Sequence, residues 1–144
     1  MSKTKIFFIL IVLIIGAIQF IPSERIEVET IPEMVLKTDN IEVQNILSKA
    51  CMDCHSNETE YPWYASVAPV SFFVNGHIKE GRGELNFSEW NSYPAEDQRH
   101  LAKEAAEIVE KKEMPMLFYW LIHWDAKLTP EERQTLVDYF NTLK

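Results

Sequence analysis

Hydrophobic residues recur at the three-to-four-residue spacing of amphipathic helices in four stretches of the chain. The first predicted helix runs from a cap at Asp39 or Asn40 into Cys51, and the second follows Pro69 and ends before Gly81. The positions expected to face a core are Val43, Ile46, Leu47 and Ala50 in the first helix, and Val70, Phe73, Val74, His77 and Ile78 in the second.

Two further helices are predicted in the C-terminal half. The third follows Pro94 and stops before Pro115, because a residue that precedes proline is disfavoured in a helix. The fourth begins at Thr129, where Pro130 and Glu132 complete a capping box with proline at the first helical position. Their inward positions are Leu101, Ala105, Ile108 and Val109, then Leu136, Val137 and Phe140. No β pattern of comparable length appears, so an all-α fold is predicted.

The N-terminus has a different pattern, an apolar run over residues 6–21 in which only Gln19 is polar. Lys3 and Lys5 precede this run, as in an export signal or membrane anchor, and no good small-residue cleavage site follows it. We therefore expect residues 1–22 to form an uncleaved transmembrane anchor in contact with membrane lipid. The positive-inside tendency then predicts a single-pass protein of the inner (cytoplasmic) membrane, with its domain facing the periplasm.

Prolines and charged residues interrupt the helical period between the apolar run and the first amphipathic helix. Residues 23–38 are therefore predicted to be a linker that lifts the domain off the bilayer. The remaining residues, 39–144, are enough for one small helical core and leave no room for a second domain.

The chain is acidic, with 22 Asp and Glu residues against 14 Lys and Arg. Lys3 and Lys5 are two of those 14, so the rest of the chain has 12 basic residues. Nucleic acid is disfavoured as a partner, because phosphate binding needs Lys and Arg to displace condensed counterions. A negative surface either keeps the domain soluble or suits redox protein partners, in or near the membrane, that have basic docking surfaces.

Both cysteines of the chain lie in the sequence CMDCHS, residues 51–56. A structural zinc would need about four ligands, and adjacent Cys54 and His55 point in different directions on a helix. A thioredoxin-like pair starts a helix in a βαβ setting, whereas a predicted helix precedes these cysteines. Neither of these two sites fits the sequence well.

A covalent haem explains the spacing physically. Two thiols about one helical turn apart can each add to a vinyl group of one porphyrin, and the next residue places an imidazole under the iron. We therefore expect one covalent haem c per chain, held by Cys51 and Cys54, with His55 as an iron ligand. A plain disulfide between the two cysteines is the remaining alternative.

The second axial position decides the chemistry, since Met, His and an open position give iron different properties. The candidates are Met52, Met114, Met116, His77, His100 and His123. Met114 is the first choice, because it precedes Pro115 on an irregular connection between two predicted helices that can present its sulfur. His77, on the apolar stripe of the second helix, is the main rival. Simple core packing would also explain either residue.

Arg82, within the sequence EGRGEL, is predicted to pair with a haem propionate, because a planar guanidinium suits a carboxylate. A surface ion pair with Glu80 or Glu84 is the alternative. Aromatic residues are dense between positions 61 and 90, where they would wall a porphyrin or simply fill a small helical core.

Together these pieces resemble the small bacterial haem-binding domain family, a cytochrome c-like group often found with a membrane anchor. The resemblance covers roughly residues 38–144 and rests on C-x-x-C-H-S-N, Y-P-W-Y, E-G-R followed by L-N-F-S-E-W, and M-P followed by a Tyr, a His and L-T-x-x-E. It implies a small cytochrome c-like helical domain around one covalent haem on Cys51 and Cys54. His55 would be the proximal ligand and Met114 the distal one, by similarity to the Met-before-Pro of class I cytochromes c.

Two functional classes fit such a site, and we expect an electron carrier rather than an enzyme. The first is a membrane-anchored c-type cytochrome that transfers one electron outside the cytoplasm. The alternative is a haem-based sensor or small peroxidase with an open or displaceable distal position, to which His77 or His123 would supply an acid–base group. A third possibility is a cofactor-free domain closed by a Cys51–Cys54 disulfide.

Overall fold

The computed structural model describes residues 2–143, and all regular secondary structure within them is helical. The helices are α1 (Lys3–Ile18), α2 (Ile41–Ala50), α3 (Met52–His55), α4 (Val70–Glu84), α5 (Ala95–Glu110), α6 (Leu117–Ile122) and α7 (Pro130–Thr142). Short 3-10 helices lie at Trp63–Ser66, Phe87–Ser92 and Trp124–Ala126. The all-α part of the predicted fold class is confirmed.

The transmembrane anchor predicted over residues 1–22 is wrong. Helix α1 has 16 residues. At 1.5 Å per residue it extends about 24 Å, short of a hydrocarbon core of about 30 Å. Within residues 2–143, no helix combines the length and the apolar character needed to cross a membrane. The fold class is therefore corrected to a helical domain preceded by a short apolar helix.

Side-chain caps start two of the predicted helices where the sequence places them. The Asn40 side chain accepts hydrogen bonds from the backbone N–H groups of Glu42 (3.0 Å) and Val43 (3.3 Å) at the start of α2. At the start of α7, the Thr129 hydroxyl accepts from the Glu132 N–H (3.1 Å). The Glu132 carboxylate accepts in return from the Thr129 N–H (2.9 Å). These bonds satisfy amides that have no partner within the helix.

The core lies between α2, α5 and α7, with α5 packed along α7. Its buried side chains include Val43, Ile46, Leu47, Phe87, Ala106, Val109, Ala126, Leu128, Leu136, Val137 and Phe140. The inward faces predicted for α2 and α7 are confirmed. Helix α5 is rotated from its predicted face, because it buries the small side chains of Ala102 and Ala106, which allow a close approach to its neighbours.

Helix α4 differs from the prediction in both length and orientation. It continues past Gly81 to Glu84, because packing against α3 outweighs the weak helix propensity of glycine. Its buried positions are Ser71, Asn75 and Ile78, whereas Val70 and Phe73 are exposed. The apolar stripe read from the sequence therefore lies partly on the surface.

The segment between α1 and α2 lies against the helical domain. The Leu36 N–H donates to the Phe87 carbonyl oxygen (2.8 Å), and the Asn91 N–H donates to the Met34 carbonyl oxygen (2.8 Å). The Asn91 side-chain amide also donates to the Glu33 carbonyl oxygen (2.9 Å). These contacts make part of the predicted linker a component of the domain surface.

Candidate functional site

Residues 51–56, which we call the cysteine-containing turn, consist of Cys51, the one-turn helix α3 (Met52–His55) and Ser56. Cys51 ends α2, and its carbonyl oxygen accepts hydrogen bonds from the N–H groups of Cys54 (3.2 Å) and His55 (2.9 Å). Both cysteines are half-buried free thiols in the structure. The two sulfurs and the imidazole thus come from one turn of helix, as their spacing in the sequence predicts.

The surroundings of the two thiols favour their protonated forms. Burial, and then the neighbouring Cys54, raise the pKa of Cys51 to about 12. Burial and then the charge of Asp53 raise the pKa of Cys54 to about 11, against an opposing effect of Arg82. Reactive disulfide pairs instead contain a thiolate with a lowered pKa. In the part of the chain that the structure describes, no three His, Cys, Asp or Glu side chains are grouped to hold a metal ion.

His55 is held in a single orientation by the loop after α4. Its Nδ1 lies 2.9 Å from the carbonyl oxygen of Leu85. Because a carbonyl oxygen only accepts hydrogen bonds, Nδ1 must carry the proton, and Nε2 keeps a lone pair that can bind a metal. A backbone carbonyl on the other ring nitrogen is the usual support of a metal-binding histidine.

Helix α4 passes very close to the cysteine-containing turn at Gly81. A Cβ added at this glycine would lie 2.8 Å from the carbonyl oxygen of Cys54 and 3.2 Å from its Cβ. No L side chain fits there without a backbone shift, so glycine permits the contact between α3 and α4. The sequence offers no signal for this role, because it depends on which helices meet.

Arg82, the predicted propionate partner, donates hydrogen bonds within the protein. Its acceptors are the backbone carbonyl oxygens of Ser56 (2.7 Å) and Ile26 (2.6 Å), and the Thr59 hydroxyl (2.9 Å). The guanidinium therefore joins the end of the cysteine-containing turn to the segment before α2. Its pairing with a propionate stays a prediction.

The candidates for the second axial ligand are spread over the helical domain: Met52 on α3, His77 on α4, His100 on α5, Met114 and Met116 between α5 and α6, and His123 directly after α6. Met114 is half-buried against the core, and its carbonyl oxygen accepts from Arg133 Nη1 (2.9 Å). His77 lies on α4, where its Nδ1 is 2.9 Å from the Phe73 carbonyl oxygen. The His77 and Phe73 rings pack together with their centroids 4.0 Å apart. His100 is exposed, and its Nε2 lies 3.9 Å from Oε2 of Glu104. Ligation by Met114 stays a prediction.

Large aromatic side chains are exposed around α4 and α6. The exposed fraction is 80% for Trp63, 65% for Phe118 and 73% for Trp124. The two helices contact each other through the Phe73 and Phe118 rings, whose centroids are 6.4 Å apart. A soluble domain rarely leaves large apolar side chains together in water, so this aromatic surface suits a flat apolar cofactor.

A chain of polar and aromatic contacts that the sequence does not reveal begins between the cysteines. The Asp53 carboxylate accepts a hydrogen bond from the Tyr119 hydroxyl (2.7 Å), and the Tyr119 ring stacks on His123 with centroids 4.4 Å apart. His123 Nε2 shares a hydrogen bond with the Tyr64 hydroxyl (2.6 Å). Burial and the bond to Asp53 raise the pKa of Tyr119 far above its usual range, so its hydroxyl stays protonated. These contacts fix α6 relative to the cysteine-containing turn.

Comparison with known proteins agrees with this geometry. A family model described as a haem-binding domain matches residues 13–142, which is most of the chain. No curated protein and no solved structure matches the sequence. The structure brings two half-buried free thiols and one imidazole together in a single turn, and this donor set fits a porphyrin.

Proposed function

The chain belongs to the haem-binding domain family, so haem is its cofactor, and we propose that it is a monohaem c-type cytochrome. In this proposal it carries one electron at a time between redox proteins outside the cytoplasm. When bound, haem supplies an iron that changes its charge by one electron. The protein supplies covalent attachment, axial ligands and a surface that limits access of water to the iron.

The observation that carries the proposal is the hydrogen bond between His55 and Leu85. With Nδ1 as the donor, the neutral imidazole presents the lone pair of Nε2 directly after the second cysteine, as an axial iron ligand requires. Two half-buried free thiols lie in the same turn as this imidazole. The same bond fixes the plane of the imidazole ring before any metal binds.

Attachment of haem would join two thiols of the chain to the two vinyl groups of haem. Cys51 and Cys54 would each add across one vinyl double bond, with the sulfur bonding to one carbon and the thiol hydrogen passing to the other. This addition involves no net oxidation or reduction.

The remaining residues would hold the iron in a closed, electron-transferring state. Met114 would complete the axial pair with His55, leaving no position for a substrate. Phe73 and Phe118 would pack against the porphyrin and exclude water. A site of this kind needs no acid–base group, and the protein would act as a carrier rather than an enzyme.

We place the protein outside the cytoplasm because c-type haem is attached there. Its partners would be redox proteins with basic docking surfaces, since the chain has 22 acidic residues against 14 basic ones. Charge complementarity of this sort speeds encounters without requiring tight binding.

The test is an absorption spectrum of the full-length chain produced in a host with haem-attachment machinery. We expect c-type bands that survive acid extraction of free haem, and a reduced protein that resists carbon monoxide. A Cys51→Ala, Cys54→Ala double variant should lose the extraction-resistant bands. Bands that disappear from the wild-type chain on extraction would contradict covalent attachment.

A sensor or small peroxidase is the second candidate, favoured by the hydrogen-bonded pair of Tyr64 and His123. Such a pair could move a proton during peroxide cleavage if the distal position were open. Rapid binding of carbon monoxide by the reduced wild-type protein would favour this function over electron transfer.

A further inference from the structure

Arg82 links three parts of the chain that are distant in sequence. Nε donates to the Ser56 carbonyl oxygen at 2.7 Å, and Nη1 donates to the Ile26 carbonyl oxygen at 2.6 Å. Nη2 donates to the Thr59 hydroxyl at 2.9 Å. A guanidinium is suited to this task because its donors point in fixed directions within one plane.

Two of these acceptors, the Ser56 carbonyl oxygen and the Thr59 hydroxyl, belong to the residues that follow His55. Ser56 is fully buried, and its hydroxyl donates to the Met52 carbonyl oxygen within the cysteine-containing turn (2.7 Å). The Thr59 hydroxyl, which Arg82 contacts, donates to the carbonyl oxygen of Asp53 (2.5 Å). Arg82 therefore braces the turn from its C-terminal side.

The third acceptor belongs to residues 19–26, which we call the N-terminal strap. The Gln19 side chain binds the backbone of Ala68 twice: its amide group donates to the Ala68 carbonyl oxygen (2.8 Å), and its oxygen accepts from the Ala68 N–H (3.1 Å). Further along the strap, the Asn75 amide donates to the Ser23 hydroxyl (2.6 Å), and the Arg25 guanidinium donates to the Ser66 hydroxyl (2.5 Å). The Arg25 guanidinium also lies over the Tyr61 ring, 4.7 Å from its centroid. A strap held by this many hydrogen bonds docks in one defined position.

We propose that Arg82 is a positioning residue that ties the backbone following His55 to the N-terminal strap. Axial ligation by His55 then depends on docking of the strap. This inference rests on the proposed function, because it takes His55 as the iron ligand. It replaces the propionate pairing of Arg82 with an action through the protein backbone.

The first test compares Arg82→Gln with Arg99→Gln in the full-length, haem-loaded chain. Arg99 is an exposed residue of α5, so its substitution removes the same charge away from the strap. Limited trypsin digestion measures release of the strap, because trypsin cleaves the peptide bond between Arg25 and Ile26. In the docked strap the Arg25 side chain is bound to Ser66 and the Ile26 carbonyl oxygen is bound to Arg82, so this bond is protected.

We expect Arg82→Gln to be cleaved about tenfold faster after Arg25, the effect of losing a charge-assisted hydrogen bond. Its spectrum should also show a high-spin fraction, and the reduced protein should bind carbon monoxide more readily than wild type. Arg99→Gln should match wild type in both measurements. A purely structural role in stability would not change the spin state at temperatures where the domain remains folded.

Thr59→Val and Arg82→Lys separate this role from propionate pairing. Thr59→Val removes one acceptor without changing any charge, so it should raise cleavage and the high-spin fraction in the same direction as Arg82→Gln. Arg82→Lys keeps a cation that could pair with a propionate, but one ammonium cannot reach all three acceptors. It should therefore behave like Arg82→Gln.

Two results would overturn the proposal. One is an Arg82→Gln protein with wild-type cleavage and a wild-type spectrum. The other is a wild-type result for Thr59→Val together with full rescue by Arg82→Lys, which would restore the propionate assignment. If the wild-type chain carries no covalent haem, the proposed function fails, and the cleavage rates of the haem-free variants decide whether Arg82 holds the strap.

Discussion

The hydrogen bond between His55 and the Leu85 carbonyl oxygen fixes both the tautomer and the plane of the imidazole. Because Leu85 directly follows α4, any movement of that helix would shift the carbonyl oxygen that orients His55, the candidate iron ligand. At this scale the chemistry depends on a backbone atom rather than on a second side chain. A substitution at Leu85 would keep the backbone carbonyl and therefore the hydrogen bond to His55. A displacement of α4 would break that hydrogen bond.

The choice of second ligand is also decided by single residues. We expect Met114→Ala to keep its covalent haem but to become high-spin and accessible to carbon monoxide, because it loses the axial sulfur. His77→Ala should keep the wild-type spectrum, since His77 is already engaged with Phe73 on α4. Absorption spectra of the oxidised and reduced variants check both. A low-spin Met114→Ala protein beside a high-spin His77→Ala protein would reverse the assignment.

The candidate site could be predicted only where its residues are neighbours in the sequence. Cys51, Cys54 and His55 form one short motif, so their spacing alone indicates haem. The contact of Leu85 with His55 and that of Tyr119 with Asp53 join residues 30 and 66 positions apart. Pairings of this kind depend on how helices pack, and no local pattern specifies them.

At the scale of elements, the contact between α3 and α4 positions the site. Gly81 allows α4 to approach the Cys54 carbonyl oxygen, and α4 then delivers Leu85 to His55 and Arg82 to Ser56. One helix therefore supports both the ligand and the backbone that follows it.

Gly81→Ala should destabilise the protein by about 1–3 kcal/mol, because the added methyl group meets backbone atoms that must shift. Gly83→Ala is the matched control on the same helix, since nothing lies within 4 Å of its Cβ position. Helix propensity predicts that this control gains up to about 1 kcal/mol. Urea unfolding of the two variants measures the difference, and equal stabilities would contradict the close packing of α3 against α4.

The start of α7 should make stability depend on pH. Burial opposes ionisation of Glu132, but hydrogen bonds from Lys49 and the Thr129 amide lower its pKa overall. The folded state therefore gains stability above the ordinary pKa of 4.5 and loses it as the pH falls through the lowered value. We expect Glu132→Gln to be less stable by about 0.5–1 kcal/mol at pH 7.

Unfolding of wild type and Glu132→Gln across pH 2–7 tests this prediction. The two proteins should converge in acid, where Glu132 is protonated. Thr129→Ala is the companion variant, because it removes the cap while leaving the ion pair of Lys49 with Glu132 (2.5 Å). It should cost about 1 kcal/mol at neutral pH. A constant difference between wild type and Glu132→Gln at all pH values would contradict the role of the charge.

Elements with a long apolar period or a side-chain cap could be predicted from the sequence, and the others could not. Helices α2 and α7 have both signals, and their buried faces match the prediction. Helices α3 and α6 have four and six residues, too few for a period to be recognised. The predicted anchor failed because an apolar composition does not fix helix length, and α1 ends at Ile18.

At the scale of the whole molecule, the cysteine-containing turn is supported from several sides. Helix α4 packs against it, Tyr119 holds it from α6, and Arg82 joins it to the N-terminal strap. The family match, residues 13–142, includes this strap. Such a scaffold would fix His55 before haem binds and would limit reorganisation during electron transfer.

The most direct measurement is the mass of the tryptic peptide spanning residues 50–79, which contains both cysteines. The protein would be the full-length chain from a host with haem-attachment machinery, digested under denaturing conditions. We predict a peptide heavier than its sequence by one haem, with no free thiol. An unmodified or disulfide-bonded peptide from a coloured protein would contradict covalent attachment and leave a haem held by non-covalent contacts alone.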